Sequence, residues 1–178
     1  MPRNRASGDF DTDALYAALD RQRTERGLTW TGAAREIWEM SSVLNRQRPG
    51  DHPLAASTMR NVARNGDTSC QHALFFVRWL GRTPESFVPG ADDAGRPLPG
   101  SSDDRRPRWH LRRLYDALDE QRRTEGLTWS ALAGDLHCTP NQLTGLRTAR
   151  YATSMRLAMR ICRRLGRPAA DFVYAGRW

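Results

Sequence analysis

Residues Thr128–Arg147 read TWSALAGDLHCTPNQLTGLR, and the fold turns on how this stretch is divided. Trp129, Leu132, Ala133 and Leu136 recur at helical spacing, and after Pro140 so do Leu143 and Leu146. Only His137, Cys138 and Thr139 stand between the two stripes. Two helices joined by a turn of about three to four residues form a helix-turn-helix. Thr128 and Thr139 suit the N-cap positions, where a hydroxyl accepts from an orphan amide. Pro140 suits the first helical position, which has no amide to satisfy.

Working outward, the chain contains this plan twice. Leu15–Trp30, LYAALDRQRTERGLTW, matches Leu114–Trp129, LYDALDEQRRTEGLTW, at 11 of 16 positions with an offset of 99. Leu80–Val88, LGRTPESFV, answers Leu165–Val173, LGRPAADFV, at an offset of 85. The first copy is therefore longer by 14 residues, the difference of the two offsets. Like ends around a variable middle mean two copies of one unit. Between them Pro89–Arg108, PGADDAGRPLPGSSDDRRPR, has the composition of a linker. The expected organisation is a disordered N-terminus over 1–9, a first copy over 10–90, a flexible linker over 91–107 and a second copy over 108–178.

Each copy reads as five short helices, so the expected class is all-α, with no strand-like alternation anywhere. In copy two, Leu111, Leu114, Tyr115 and Leu118 mark a first helix ended by Gly126. The second and third helices are those quoted above, the third reaching about Ala149. Thr153 or Ser154 caps a fourth that ends at Gly166, and Pro168 opens a fifth. Copy one repeats this with helices at about 12–26, from Thr29, over 58–64, over 69–80 and over 84–88. In place of HCT it has WEMSSVLNRQRPGDHPLA, in which Trp38, Val43 and Leu44 extend helix two before a loop around Arg46–Pro53.

The 178 residues carry a net charge of +8, and all 28 basic residues are arginine. Arginine everywhere, not only in candidate binding helices, reads first as codon bias. Residues 1–90 hold 12 arginines against 10 acids, and residues 91–178 hold 16 against 10, so the halves carry +2 and +6. No run approaches the roughly 20 apolar residues of a membrane span. MPRNRASGDF has no apolar signal region, and a cytoplasmic, nucleoid-associated location is expected. Cys70, Cys138 and Cys162 follow no CxxC spacing and read as buried thiols. Cys70 with His72, or His137 with Cys138, falls short of the four ligands a zinc site uses. No nucleophile–base pair or Gly-rich phosphate loop is visible, and Asp92–Asp93 and Asp103–Asp104 lie in the linker. Neither an enzyme nor a cofactor is expected.

Five helices with the second and third forming a helix-turn-helix resemble the Xre/Cro-type family of bacterial and phage repressors. The matching residues in copy two are Leu127–Trp129, Leu132, Ala133, Leu136, Leu143 and Leu146; in copy one they are Leu28–Trp30, Ala33, Ala34, Ile37, Met59 and Val62. The resemblance implies that each third helix enters the major groove of double-stranded DNA. Base-reading residues would be Asn141, Gln142 and Thr144 in copy two, and Ser57, Thr58, Arg60 and Asn61 in copy one. Amides pair with adenine and arginine forks onto guanine. Phosphates would meet Thr29, Ser69, Thr128, Thr153 and Ser154 at helix N-termini, supported by Arg64, Arg147 and Arg150. Arg156, Arg160, Arg163 and Arg164 on helix four read as a solvated face. Trp30 and Trp129 read as packing residues.

Two departures from the family stand out. The turn of copy one is about 15 residues longer, its Arg46 and Arg48 flanking DNA or its apolar surface meeting a partner. In copy two His137 replaces the usual turn glycine, and Gly145 lies inside helix three. The expected function is a sequence-specific, repressor-like transcriptional regulator with two non-identical heads and a non-palindromic site. The alternative gives DNA binding to copy two alone and a protein partner to copy one, in an antitoxin-like or partner-recruiting role. Homodimer and intramolecular pseudo-dimer both remain open.

Overall fold

The computed structural model describes residues 9–91, 95–100, 102–149 and 152–177. Side-chain caps set most of its helix starts. Asp11 accepts from the amides of Asp13 and Ala14 ahead of α1 (Thr12–Glu25), Thr29 from Gly32 ahead of α2 (Trp30–Glu39), and Ser69 from His72 ahead of α5 (Cys70–Leu80). In copy two, His110 caps α6 (Leu111–Thr124), Thr128 caps α7 (Trp129–Asp135), Thr139 caps α8 (Pro140–Gly145) and Ser154 caps α9 (Met155–Leu165). Gly81 and Gly166, at matched positions, end α5 and α9 at φ +64° and +62°, where a Cβ is strained. A 3-10 turn follows each, at Pro84–Phe87 and Ala169–Phe172. The counterpart of α8 in copy one is α4 (Ala56–Asn65). The long connection before it holds a separate helix, α3 (Ser42–Gln47), because α2 breaks at Met40–Ser41 rather than continuing.

The repeat persists in the contacts. Tyr16 stacks on Trp30 with ring centroids 5.3 Å apart, and Tyr115 stacks on Trp129 at the same distance. Arg23 lies 4.9 Å over Trp30 and Arg122 lies 4.8 Å over Trp129. The amide of Asp11 donates to Phe87 O and that of His110 to Phe172 O, both at 2.7 Å. Both tryptophans are thus occupied in packing, as their spacing suggests.

The chain is mostly helical, as expected, but it also carries a two-stranded antiparallel sheet. Strand β1 (Arg106–Trp109) pairs with β2 (Val173–Gly176), Arg106 opposite Gly176 and Trp109 opposite Val173. Four residues reading RPRW show no alternation, so the sequence carries no local sign of a strand. The pairing comes from tertiary contact.

The same contact corrects the flexible linker. Residues 102–107 are held along copy one: the Leu44 amide donates to Asp103 O, Ser41 Oγ to Arg105 O, and Gln71 Nε2 to Pro107 O at 3.1, 3.0 and 2.7 Å. Arg106 and Pro107 are buried. Trp109, 7% exposed, donates from Nε1 to Cys70 O at 3.0 Å. The apolar side chains of both copies form one continuous core, with α5 packed on α9. Of the segment 1–9 only Asp9 lies among the described residues, and it is ordered in an ion pair with Arg160 of α9. Asp92 and Asp93 lie outside the described residues.

Candidate nucleic-acid interface

The α4 surface follows from helical geometry. Ser57, Arg60, Asn61 and Arg64 stand at i, i+3, i+4 and i+7 and so share one face, while Met59 and Val62 are buried on the other. Ser57, Arg60 and Arg64 are exposed, and Asn61 and Thr58 are half-buried. Neither Arg60 nor Arg64 has an ion pair among the described residues. The helix start is unusual: the N-cap residue is Ala55, which has no side chain to offer the first-turn amides.

Helix α8 presents Asn141, Gln142 and Thr144, all exposed, with Leu143 buried beneath them. Only Asn141 has its side chain uncommitted among the described residues. Gln142 belongs to a capping box: its Oε1 accepts from the Thr139 amide at 2.8 Å, while Thr139 Oγ1 accepts from the Gln142 amide at 3.3 Å. Using both ends of that side chain on a base requires opening the box. Thr144 Oγ1 donates back to Pro140 O at 3.2 Å. His137 takes the left-handed conformation, φ +50°. Beside α8 lies a cleft of about 350 Å³ lined by Asn141, Gln142, Gly145, Thr153, Ser154 and Leu157.

The residues expected at phosphates separate into two groups. Thr29 and Thr128 are exposed caps at the starts of α2 and α7. Ser69, Thr153 and Ser154 come together where the copies meet. There Ser69 and Ser154 form an antiparallel bridge. The Cys70 amide donates to Thr153 O and the Met155 amide to Thr68 O, both at 2.8 Å. These two bonds exchange under the repeat's offset of 85, so the contact is isologous about a local two-fold axis. Helix α4 ends four residues before Ser69, and α8 ends nine residues before Ser154. Arg147 is exposed nearby in sequence, and Arg150 lies outside the described residues.

The arginines of α9 are not a purely solvated face. Arg160 forks onto Asp9 at 2.6 and 2.5 Å and also donates to Leu136 O and His137 O at the end of α7. Its fork holds the Asp9 carboxyl below the ordinary range. Arg164 pairs with Glu125, and Arg156 donates to Thr12 Oγ1 across the copies at 3.3 Å. Arg156, Arg160 and Arg164 thus bind the protein to itself.

The long connection of copy one also turns inward. Leu44 is 1% exposed, and Arg48 pairs with Asp51 at 3.1 Å. Arg46 remains exposed. A depression of about 430 Å³ opens between α2 and the start of α4, lined by Thr31, Arg35, Trp38, Pro53, Leu54 and Ala56. The cysteines are free thiols; burial pushes Cys70 up to about 12 and raises Cys162 and Cys138. Among the described residues no group of three or more His, Cys, Asp or Glu side chains is placed to hold a metal ion. No helix among them is long and apolar enough to cross a membrane. Comparison with protein-family models, characterised proteins and solved structures finds no match.

Proposed function

We propose that this chain is a sequence-specific, double-stranded-DNA-binding regulator of repressor-like type, with two unlike reading heads held as one body. The observation that carries the reading is the Ser69–Ser154 bridge, whose two backbone hydrogen bonds exchange under the repeat and so support a paired arrangement of α4 and α8. That is the arrangement by which paired helix-turn-helix units address successive major-groove faces. The shared core adds a constraint: half-site spacing would be set by the interface, not by the reach of a tether. Arg60 is suited to guanine and Asn141 to adenine, so the two half-sites would differ. Ser57, Asn61 and Thr144 border these contacts. The caps Thr29 and Thr128, the axis residues Ser69, Thr153 and Ser154, and Arg64 and Arg147 would serve the backbone.

Selection from a random duplex pool tests this with the intact chain. The expected outcome is an enriched site with two dissimilar halves at a single spacing, bound by one chain. Arg60→Ala and Asn141→Ala should each relax one half, at a cost of about 1–3 kcal/mol. A palindrome occupied by two chains, or no enrichment, overturns the reading.

A second reading is favoured by one observation, the partly apolar depression at Trp38 and Leu54 on the less basic copy. There copy one binds a protein partner and copy two alone binds DNA. Arg60→Ala with Arg64→Ala in the intact chain distinguishes the two. Loss of the backbone-serving Arg64 charge lowers the salt slope of binding by about 1 if copy one touches DNA. An unchanged slope supports the partner reading.

A further inference from the structure

The two candidate reading helices are approached in different ways. Before α8 the chain spends four residues, Leu136–Thr139, and the capping box of Thr139 and Gln142 fixes where the helix begins. Before α4 it spends 16 residues, 40–55, and ends on an uncapped alanine. A connection of that length without a local stop has no intrinsic reason to deliver α4 at one position.

Two arginines from outside hold it. Arg78 of α5 fastens its start, donating to Met40 O at 2.8 Å and to Ser41 Oγ at 2.9 Å. Arg106, 4% exposed, extends from β1 and meets two residues further along the connection and one on α2 before it. Its Nη1 pairs with Asp51 at 2.7 Å and its Nη2 donates to Asn45 Oδ1 at 2.5 Å. Its guanidinium carbon lies 4.2 Å over the Trp38 ring. Trp38 is on α2, Asn45 on α3, and Asp51 four residues before the Ala55 cap, so the fork ties α2, α3 and the segment after α3 together. A planar fork that stacks on an aromatic ring while pairing with a carboxylate is specific to arginine. Two further bonds fasten the same region to the approach to β1: Leu44 N to Asp103 O and Ser41 Oγ to Arg105 O. The strand carrying Arg106 then enters copy two through buried Trp109.

We propose that Arg106 is the positioning residue for the α4 surface: it does from β1 what the capping box does locally for α8. The site it positions, Ser57, Arg60, Asn61 and Arg64, rests on the DNA-binding reading above. The consequence is that the register of one head depends on docking of the strand that begins the other.

Hydrogen exchange of the intact chain tests this without DNA. Arg106→Met keeps an apolar stem over Trp38 and removes the fork. Exchange at the hydrogen-bonded amides of Arg48, Asp51 and Thr58 should then be about tenfold faster, with the Gln142, Leu143 and Leu146 amides unchanged. Arg106→Lys, which retains a charge for Asp51 but cannot serve Asn45 and Trp38 together, should give an intermediate increase, and it carries the test if the methionine variant does not fold. Unchanged exchange at Arg48, Asp51 and Thr58, or equal acceleration around both helices, overturns the proposal. On a duplex selected by the parent chain, Arg106→Met should lose protection of the half relaxed by Arg60→Ala and keep the half relaxed by Asn141→Ala. Equal loss at both halves overturns it. If the parent chain selects no duplex, the DNA reading falls, and the exchange result alone decides the positioning role.

Discussion

The connection before α8 and the connection before α4 solve one problem by opposite means. Copy two uses three devices within a few residues: His137 in the left-handed region, Thr139 as the cap and Pro140 at the first helical position. Copy one has none of these and relies on residues from elsewhere, Arg106 above all. A short turn is specified by its own conformational preferences, whereas a long one is specified by whatever it can be tied to. The second solution pins the connection at a few points, with Ser41 and Leu44 buried while residues 46–50 stay exposed.

The largest test of this contrast is Leu44→Ala. If Leu44 pins the connection, the change should cost about 2–5 kcal/mol in denaturant unfolding, the range for a fully buried leucine. A cost below about 1 kcal/mol would mean that the connection detaches without consequence and that the contrast is overdrawn.

The caps give a smaller and reciprocal test. Thr139→Ala should destabilise by about 1 kcal/mol, since it removes a side-chain acceptor from the first turn of α8. Ala55→Ser should stabilise by up to about 1 kcal/mol, because Ala55 already has the extended backbone, φ −82° and ψ 142°, that a capping serine adopts. Opposite signs in thermal unfolding would confirm that one helix start is locally capped and the other is not. A null result for Ala55→Ser would show that the α4 amides are already satisfied.

The smallest effect concerns the one outside support that the short turn receives. Arg160, oriented by Asp9, donates to Leu136 O and His137 O. The Asp9 carboxyl is held below its ordinary value of 3.8, chiefly by its hydrogen bonds from Arg160. A depressed carboxylate contributes stability that is fully present above the ordinary value and is lost as pH falls through the folded one. Asp51 and Asp119, also depressed by arginine partners, make the parent chain acid-sensitive in the same direction. The reading is therefore a difference: between about pH 5 and about pH 3 the parent should lose slightly more unfolding free energy than Asp9→Asn. Parallel losses would show that this pair contributes nothing measurable to the join.

How much of this was legible in the sequence follows the same division. Thr29, Thr128, Thr139 and the glycine stops act through neighbours three or four residues away, so their helix boundaries could be read directly. The stripe Ser57, Arg60, Asn61 and Arg64 needed only helical periodicity. Gln142 was read only as a base reader, although the pattern Thr139-Pro-Asn-Gln142 is also the signature of a capping box, which the structure forms. Strand β1, the burial of Arg106 and the docking of 102–107 left no such trace. Their partners stand 36 to 70 residues away along the chain, and a Pro/Asp/Arg-rich composition reads as solvated whenever those partners are ignored. For the same reason Arg160 and Arg164 looked like a solvated face: the carboxylates that engage them lie on other elements.

The bridge at Ser69 and Ser154 has a consequence for how such a molecule can change. In an assembly of two identical chains every substitution is made twice, once on each side of the axis. Here the symmetric contact survives inside one chain, so a substitution is made once. Arg60 can be altered while the α8 surface stays as it is, and the contact that joins the halves does not register the difference. One side of the molecule is thereby free to drift under a new selection while the other continues to serve an old one.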